Sequence, residues 1–271
     1  MKKQYLRDCN TALSRNFKLG VALSGGGARG LAHAGALKAI DDAGLNIDVI
    51  SGVSAGSIVA VLYAAGIKPD AILEMFSAAS FFDLAELSVG KGGLMRIDKF
   101  VDFIMRCLGK IKTFEQLRIP TYIGVTNFDD AQPEVFCKGE IAPVIQASCS
   151  IPVAIVPVRI GGNTYVDGGV LRNLPAWAIR DKCDKLIGIS VSTVLKTKTA
   201  PTLIGMALRS YSLLAKSNQA QDLEMCDIPL KIDEVSRHGV FNLSELEEVY
   251  NSGYENMKKA IITNKLTTIN T

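Results

Sequence analysis

The chain has 271 residues, 48% of them hydrophobic, and a mean hydropathy of +0.22, enough to bury a full core with little left over for a second domain. Its 30 Lys and Arg against 27 Asp and Glu leave a net charge of +3 and a pI near 8.5. That excludes a dedicated nucleic-acid binder but leaves open a basic face at an anionic membrane. No run reaches the roughly 18 apolar residues of a bilayer-spanning helix, and the charged start, MKKQYLRDCNTALSRNF, lacks the apolar segment of a secretory signal. A cytoplasmic protein is expected, with peripheral membrane contact and homo-oligomerisation left open.

Strand-like and helix-like segments alternate along the chain, the order of an α/β protein with a mainly parallel central sheet covered by helices. Residues 17–23 (FKLGVAL) read as a strand, 25–30 as a glycine loop, and 31–43 as a helix that stops at Gly44. The pattern then repeats with a strand over 47–51, a tight turn over 52–56 and a helix over 57–65 that ends at Gly66, ahead of Pro69. Further on, 121–128 and 134–138 read as paired strands around Asp129 and Asp130, and 156–160 with 164–166 as a hairpin across Gly161, Gly162 and Asn163. A buried strand over 185–191, a helical region over 203–224, a short strand over 228–232 and an amphipathic helix over 244–262 complete the reading. The expectation is one domain over 1–271, with a motif core at about 18–191 and a helical C-terminal part over 192–271. The six cysteines (Cys9, Cys107, Cys137, Cys149, Cys183 and Cys226) are widely spaced, without a C-x-x-C pair or a nearby histidine, and are expected to be small reduced core residues.

Chemistry enters at Gly52-Val53-Ser54-Ala55-Gly56, a G-x-S-x-G between a strand and a helix, the context of a nucleophile elbow. So sharp a reversal crowds the serine against its neighbours, and Gly52 and Gly56 meet the demand for small residues two positions to either side. Read alone, Ser54 is more readily a helix cap than a nucleophile. A second turn, Ser24 followed by Gly25, Gly26, Gly27, Ala28, Arg29 and Gly30, also joins a strand to a helix, so its backbone N–H groups can converge on one negative oxygen. The same glycines spell G-x-G-x-x-G, the loop of a dinucleotide site. Such a site wants an acidic residue at the far end of the next strand, and Asp48 stands at its start. In Tyr165-Val166-Asp167-Gly168-Gly169 a short apolar strand delivers an aspartate into a glycine turn; alone this is an ordinary turn, and beside the other two motifs it supplies a base. The chain has only two histidines. His33 is expected to pack against the sheet, and His238 follows the last strand, so a Ser-Asp dyad is the economical mechanism, with His238 not excluded.

The order SGGGARG, GVSAGS, Ala147-Ser148-Cys149-Ser150-Ile151-Pro152 and DGG resembles the patatin-like phospholipase family from about Lys18 to Val191. The resemblance implies a three-layer α/β/α sandwich and an oxyanion hole from Gly25 to Gly30. It also implies Ser54 as nucleophile, Asp167 as its only catalytic partner, no calcium and no other cofactor. The implied function is hydrolysis of fatty-acyl esters of lipids through an acyl-serine. A catalytically weak scaffold and a nucleotide-binding module are the alternatives. Phe76, Phe81, Phe82, Leu84 and Leu87, with Met75, Met95 and Met105, are candidates for an acyl pocket among residues that mostly build core, and 203–214 for a second wall or a membrane-facing helix.

Overall fold

The computed structural model describes Cys9 and residues 17–78, 86–87, 92–194, 202–237 and 245–266. The first two strand-turn-helix units form β1 (Phe17–Leu23) with α1 (Leu31–Asp42), and β2 (Val49–Gly52) with α2 (Ala55–Ala64). Next come α3 (Pro69–Ser77), β3 (Glu86–Leu87), β4 (Gly93–Arg96) and α4 (Asp98–Cys107). They lead to the hairpin β5 (Thr121–Asn127) and β6 (Gln132–Phe136), and to α5 (Ile141–Ser148). The chain continues through β7 (Val153–Ile155), β8 (Val158–Ile160), β9 (Asn163–Asp167) and β10 (Cys183–Ser190). It closes with α6 (Leu203–Asn218), α7 (Ala220–Glu224), β11 (Ile228–Lys231) and α8 (Leu246–Thr263).

The main sheet has the order β11-β10-β1-β2-β5-β9-β8, with β6 also paired to β5. The pairs from β11 through β5 are parallel, while β9 and β6 run antiparallel to β5. Because β10 lies between β1 and β11, the motif core and the C-terminal part share one sheet. Both faces of β1 are covered, which is why it reads as a continuous apolar run rather than an alternation. Leu19, Val21 and Leu23 enter the larger core under α1, α2 and α8, and Ala22 enters a second core on the opposite face.

The two outer layers are unequal. The second is built from 3-10 turns at Pro175–Ala178 and Arg180–Lys182 together with the short α7. It is fixed by an ion pair between Arg172 Nη2 and the buried Asp222 Oδ1 at 2.7 Å. β3, β4 and β7 form a small separate sheet that the sequence pattern did not announce.

The cysteine expectation needs correction. Cys9 and Cys137 form a disulfide with Cα atoms 5.9 Å apart, and both sit at the second core. Their separation of 128 residues left no local spacing to read. Cys107, Cys149, Cys183 and Cys226 are free thiols, the last three buried.

Candidate active site

β2 ends at Gly52 and α2 starts at Ala55, so the chain reverses within Val53 and Ser54. Ser54 takes φ 53° and ψ −124°, a conformation that costs a non-glycine residue about 1–3 kcal/mol. Neighbouring backbone enforces it. A Cβ on Gly56 would lie 2.5 Å from Leu23 O and 2.6 Å from Ser24 O, so only glycine lets α2 begin this close to β1. The Ser54 N–H donates to Ser148 Oγ at 2.9 Å, and Ser148 Oγ–H donates onward to Gly124 O at 2.8 Å, tying the elbow to β5. The Ala147–Pro152 stretch thus acts as a brace. It also holds the other half of the site, since the Asp167 N–H donates to Ser150 O at 3.0 Å.

Ser54 and Asp167 straddle β5. Gly52 pairs with Ile123 on one side of that strand, and Asp167 pairs with Val125 on the other. Gly124 lies between, where a Cβ would come within 2.7 Å of Val53 Cγ2; its bare backbone lets the two turns close over the strand. Asp167 is fully buried and its Oδ1 accepts the Gly169 N–H at 2.8 Å. Oδ2 makes no aligned hydrogen bond. Burial pushes the carboxyl up to about 7, against the Gly169 N–H and the hydroxyls of Ser54 and Tyr211, all of which favour the ionised form. Both hydroxyls therefore act on the carboxylate without closing a bond of full geometry. Cys149 packs beside Ser54 and Asp167, where burial pushes its thiol up, so it stays neutral.

The glycine loop divides its work. The Gly25 N–H is engaged with Asn173 O at 3.2 Å, and Gly25 O accepts from Ser24 Oγ and Ser192 Oγ. Gly25 is therefore an anchor of the loop, which leaves the positions after it to supply the several donors expected of Gly25 to Gly30. Gly26, Gly27 and Arg29 line the cavity that Ser54 enters, while Gly30 packs beneath Ala55 and Ala28 against the large core. Arg29 reaches inward rather than out to solvent, with Nη1 donating to Thr193 O at 2.8 Å and Nη2 to Ser236 O at 3.1 Å.

His33 is fully buried with Nε2 2.8 Å from Ser24 O. A carbonyl only accepts, so Nε2 carries the proton, and burial lowers the ring to about 4 and keeps it neutral. His33 braces the loop from behind. His238 lies outside the described residues. Asp48 accepts the Leu19 N–H at 2.9 Å, at the opposite end of the sheet from the glycine loop.

The stretch 203–214, expected as a second wall, does line the site through Tyr211 and Ser212, while Asn173, Val194 and Ala215 were missed. The cavity, about 40 Å³, is lined by Ser54 and the glycine loop on one side and by Ile151, Asn173, Val194, Tyr211 and Ala215 on the other. Tyr211 and Ala215 sit one turn apart on α6, and Asn218 at the end of that helix pins it to the Asp-Gly-Gly turn. Asn218 Nδ2 donates to Gly169 O at 2.8 Å and Val170 O at 3.1 Å, and its Oδ1 accepts the Asn173 N–H at 2.9 Å. The polar residues of an otherwise apolar helix were the available signal.

Phe76 and the methionine candidates for the pocket fall elsewhere. Phe76 stacks with Phe100 and Phe103, 6.4 and 6.2 Å between ring centroids, and belongs to the core, as does Met105. Met75 and Met95 are half-buried and do not line the cavity. Phe81, Phe82, Leu84 and the Leu87 side chain lie outside the described residues.

Among the described residues no helix is long and apolar enough to cross a membrane. The outer face of α6 nevertheless exposes Leu203, Met206, Leu213 and Leu214, with Val153 of β7 and Leu94 of β4 also exposed. α6 packs against β7, which pairs with β4.

The model of the patatin-like phospholipase family matches residues 21–179, more than half of the chain. An uncharacterized protein of Acanthamoeba polyphaga mimivirus is 31% identical over 89% of this chain and 93% of its own length. An NTE family protein of Mycobacterium bovis is 30% identical over 65% of this chain and 49% of its own, and lysophospholipase NTE1 of Eremothecium gossypii is 31% identical over 65% and 12%. The chain thus spans about half the length of the mycobacterial relative and a small part of the fungal one. Among solved structures, VipD from Legionella pneumophila superposes with a TM-score of 0.61 at 16% identity, covering 92% of this chain and 67% of that one. The type III effector ExoU superposes at 0.52 and 16% identity, covering 92% and 53%. By the match of its motif core and the agreement of its sheet with these folds, the chain belongs to the patatin-like phospholipase family.

Proposed function

We propose that this protein hydrolyses fatty-acyl esters of lipids, with Ser54 as nucleophile and Asp167 as its base. The observation that carries the reading is the strained Ser54 held across β5 from a fully buried carboxylate. Asp167 takes the Ser54 hydroxyl proton as Oγ bonds to the ester carbonyl carbon, and the carbonyl π electrons move onto oxygen. Backbone N–H groups of Gly26 and Gly27, with the Arg29 charge behind them, stabilise that oxyanion. Its collapse breaks the ester C–O bond, and Asp167 returns the proton to the leaving alcohol. Water, deprotonated by the same carboxylate, then adds to the acyl-serine carbonyl; collapse breaks the C–Oγ bond, Asp167 returns the proton to Ser54 Oγ, and the fatty acid leaves. A carboxyl near 7 suits both halves of this cycle, since it accepts and returns a proton at neutral pH.

Lipid is favoured over a small soluble ester by the surroundings of the cavity. About 40 Å³ holds a few water molecules and no acyl chain. The exposed apolar residues of α6, β7 and β4 lie beside it, and α6 carries Arg209 and Lys216 and no acidic residue. That face docks on an anionic lipid surface, where the chain of the substrate remains in apolar surroundings.

The test is hydrolysis of p-nitrophenyl esters of increasing acyl length by the wild type, Ser54→Ala and Asp167→Asn, with calcium chelated. Rates that climb with chain length and drop at least about a thousandfold in both variants support the dyad. Wild-type rates in Ser54→Ala sink it. Loss in Ser54→Ala alone redirects attention to His238, and no turnover on any ester favours a binding scaffold.

A further inference from the structure

The Ser54 hydroxyl is not the only one at Asp167. Tyr211 enters from α6, on a segment the family's motifs do not reach, and its hydroxyl lies over the Cα of Gly169: a Cβ built there would be 2.2 Å from Tyr211 Oη. Gly169 is the residue whose N–H binds Asp167 Oδ1. The carboxylate therefore has one oxygen fixed by the backbone and a second, Oδ2, buried without an aligned partner, while the hydroxyls of Ser54 and Tyr211 both act on the group. Tyr211 and Ser54 also line the same cavity.

We infer that Tyr211 is a positioning residue of the dyad, its phenol hydrogen donated to Asp167 so that the carboxylate is held turned toward Ser54. The inference rests on the dyad reading above and adds a third member to it. Gly169 is glycine because the phenol oxygen occupies the place its side chain would take.

Among the described residues, the groups facing Asp167 are few. Gly169 N–H comes from its own turn, Ser54 from the elbow, Cys149 as a neutral thiol from the end of α5, and Tyr211 from α6. The Arg29 guanidinium on the far wall donates to the Thr193 and Ser236 carbonyls. Burial beside Asp167 pushes the phenol far above its ordinary value, so Tyr211 remains protonated and remains a donor throughout the working range. Its hydrogen bond favours the ionised carboxylate; without it, Asp167 titrates higher, and the acid limb of activity moves up with it.

The experiment is Tyr211→Phe in the full chain, read two ways. The first is the 13C carboxyl titration of Asp167, assigned through Asp167→Asn and recorded in a Ser54→Ala background, which needs no turnover. The second is the pH profile of kcat/KM on a p-nitrophenyl ester. The expected result is a rise of about one pH unit in both midpoints, with KM within about twofold of wild type and the melting temperature preserved. Gly169→Ala, which must displace the phenol, should move the profile in the same direction, and combining it with Tyr211→Phe should add little. An Asp167 midpoint unmoved in a folded Tyr211→Phe protein overturns the inference. A midpoint that rises while Asp167→Asn still hydrolyses ester leaves the contact standing and removes the dyad instead.

Discussion

Residues 24–57 and helix α6 meet at the same cavity by opposite means. The first region works through its backbone: a glycine loop, a serine in a strained turn, and a glycine two residues on that no other residue can replace without driving a carbon into Leu23 O and Ser24 O. The second works through side chains, with Tyr211 against the Asp-Gly-Gly turn and Asn218 pinning the helix to it. A site made of backbone has to spell itself in glycine, because nothing else fits. A site made of side chains on a helix leaves a fainter mark, a few polar residues on an otherwise apolar helix.

The comparison breaks most severely at Gly56. Gly56→Ala should lower stability by about 4 kcal/mol or more, with activity lost along with the fold, measured as a denaturant midpoint and a melting temperature reduced by about 10 °C.

Asp167→Asn separates function from folding. The carboxyl lies near 7 in the folded protein against an ordinary value of 3.8, so the folded state holds its proton more tightly than the unfolded one. Wild type therefore loses stability as pH rises from about 4 through 7, up to about 4 kcal/mol. The Asn variant should be inactive, more stable than wild type at pH 8 and equal to it at pH 4; equal melting temperatures at both pH values would show that burial is not what raises the carboxyl.

In the α6 half, Asn218→Ala should cost about 1–2 kcal/mol and lower kcat about tenfold in a protein that still folds, so that loss of rate outweighs loss of structure. A fold as damaged as that of Gly56→Ala would erase the distinction between the two regions. The smallest effect is expected at Ser54→Gly, which relieves the positive φ and should raise stability by about 1 kcal/mol while abolishing hydrolysis, a reading obtained from paired melting and rate measurements.

How far the sequence could be read follows the same division. β1 falls on residues 17–23 as its apolar run indicates, and the β5–β6 hairpin forms around Asp129 and Asp130. α2 begins at Ala55, two residues before the pattern suggests, because the reversal at Ser54 is tighter than a glycine-to-glycine turn. The single helical region over 203–224 is two helices divided at Gln219, a buried residue whose Oε1 accepts from Ser190 Oγ. α4, with Phe100, Val101 and Ile104 buried at helical spacing, was legible and unread. Gly124 and the Cys9–Cys137 bridge depend on what lies opposite them in space, and no local pattern carries that information; the stretch 203–214 was expected as a wall, but not the contact Tyr211 makes with Gly169.

The packing of α8 on α1 has a consequence for how the protein is made. A Cβ on Gly35 would lie 1.9 Å from Tyr250 O, and one on Gly253 1.9 Å from Ala32 O, so the two helices touch backbone to backbone. The strand that carries the glycine loop leaves the ribosome early, yet it gains its second neighbour only when β10 has been synthesised, and α1 gains its cover only with α8. Until then a nascent chain that already contains Ser54 and Asp167 presents an apolar strand edge and an uncovered helix, a ready client for a chaperone. The site of Ser54 and Asp167 therefore gains its full support only after residues as far along as α8 have been synthesised.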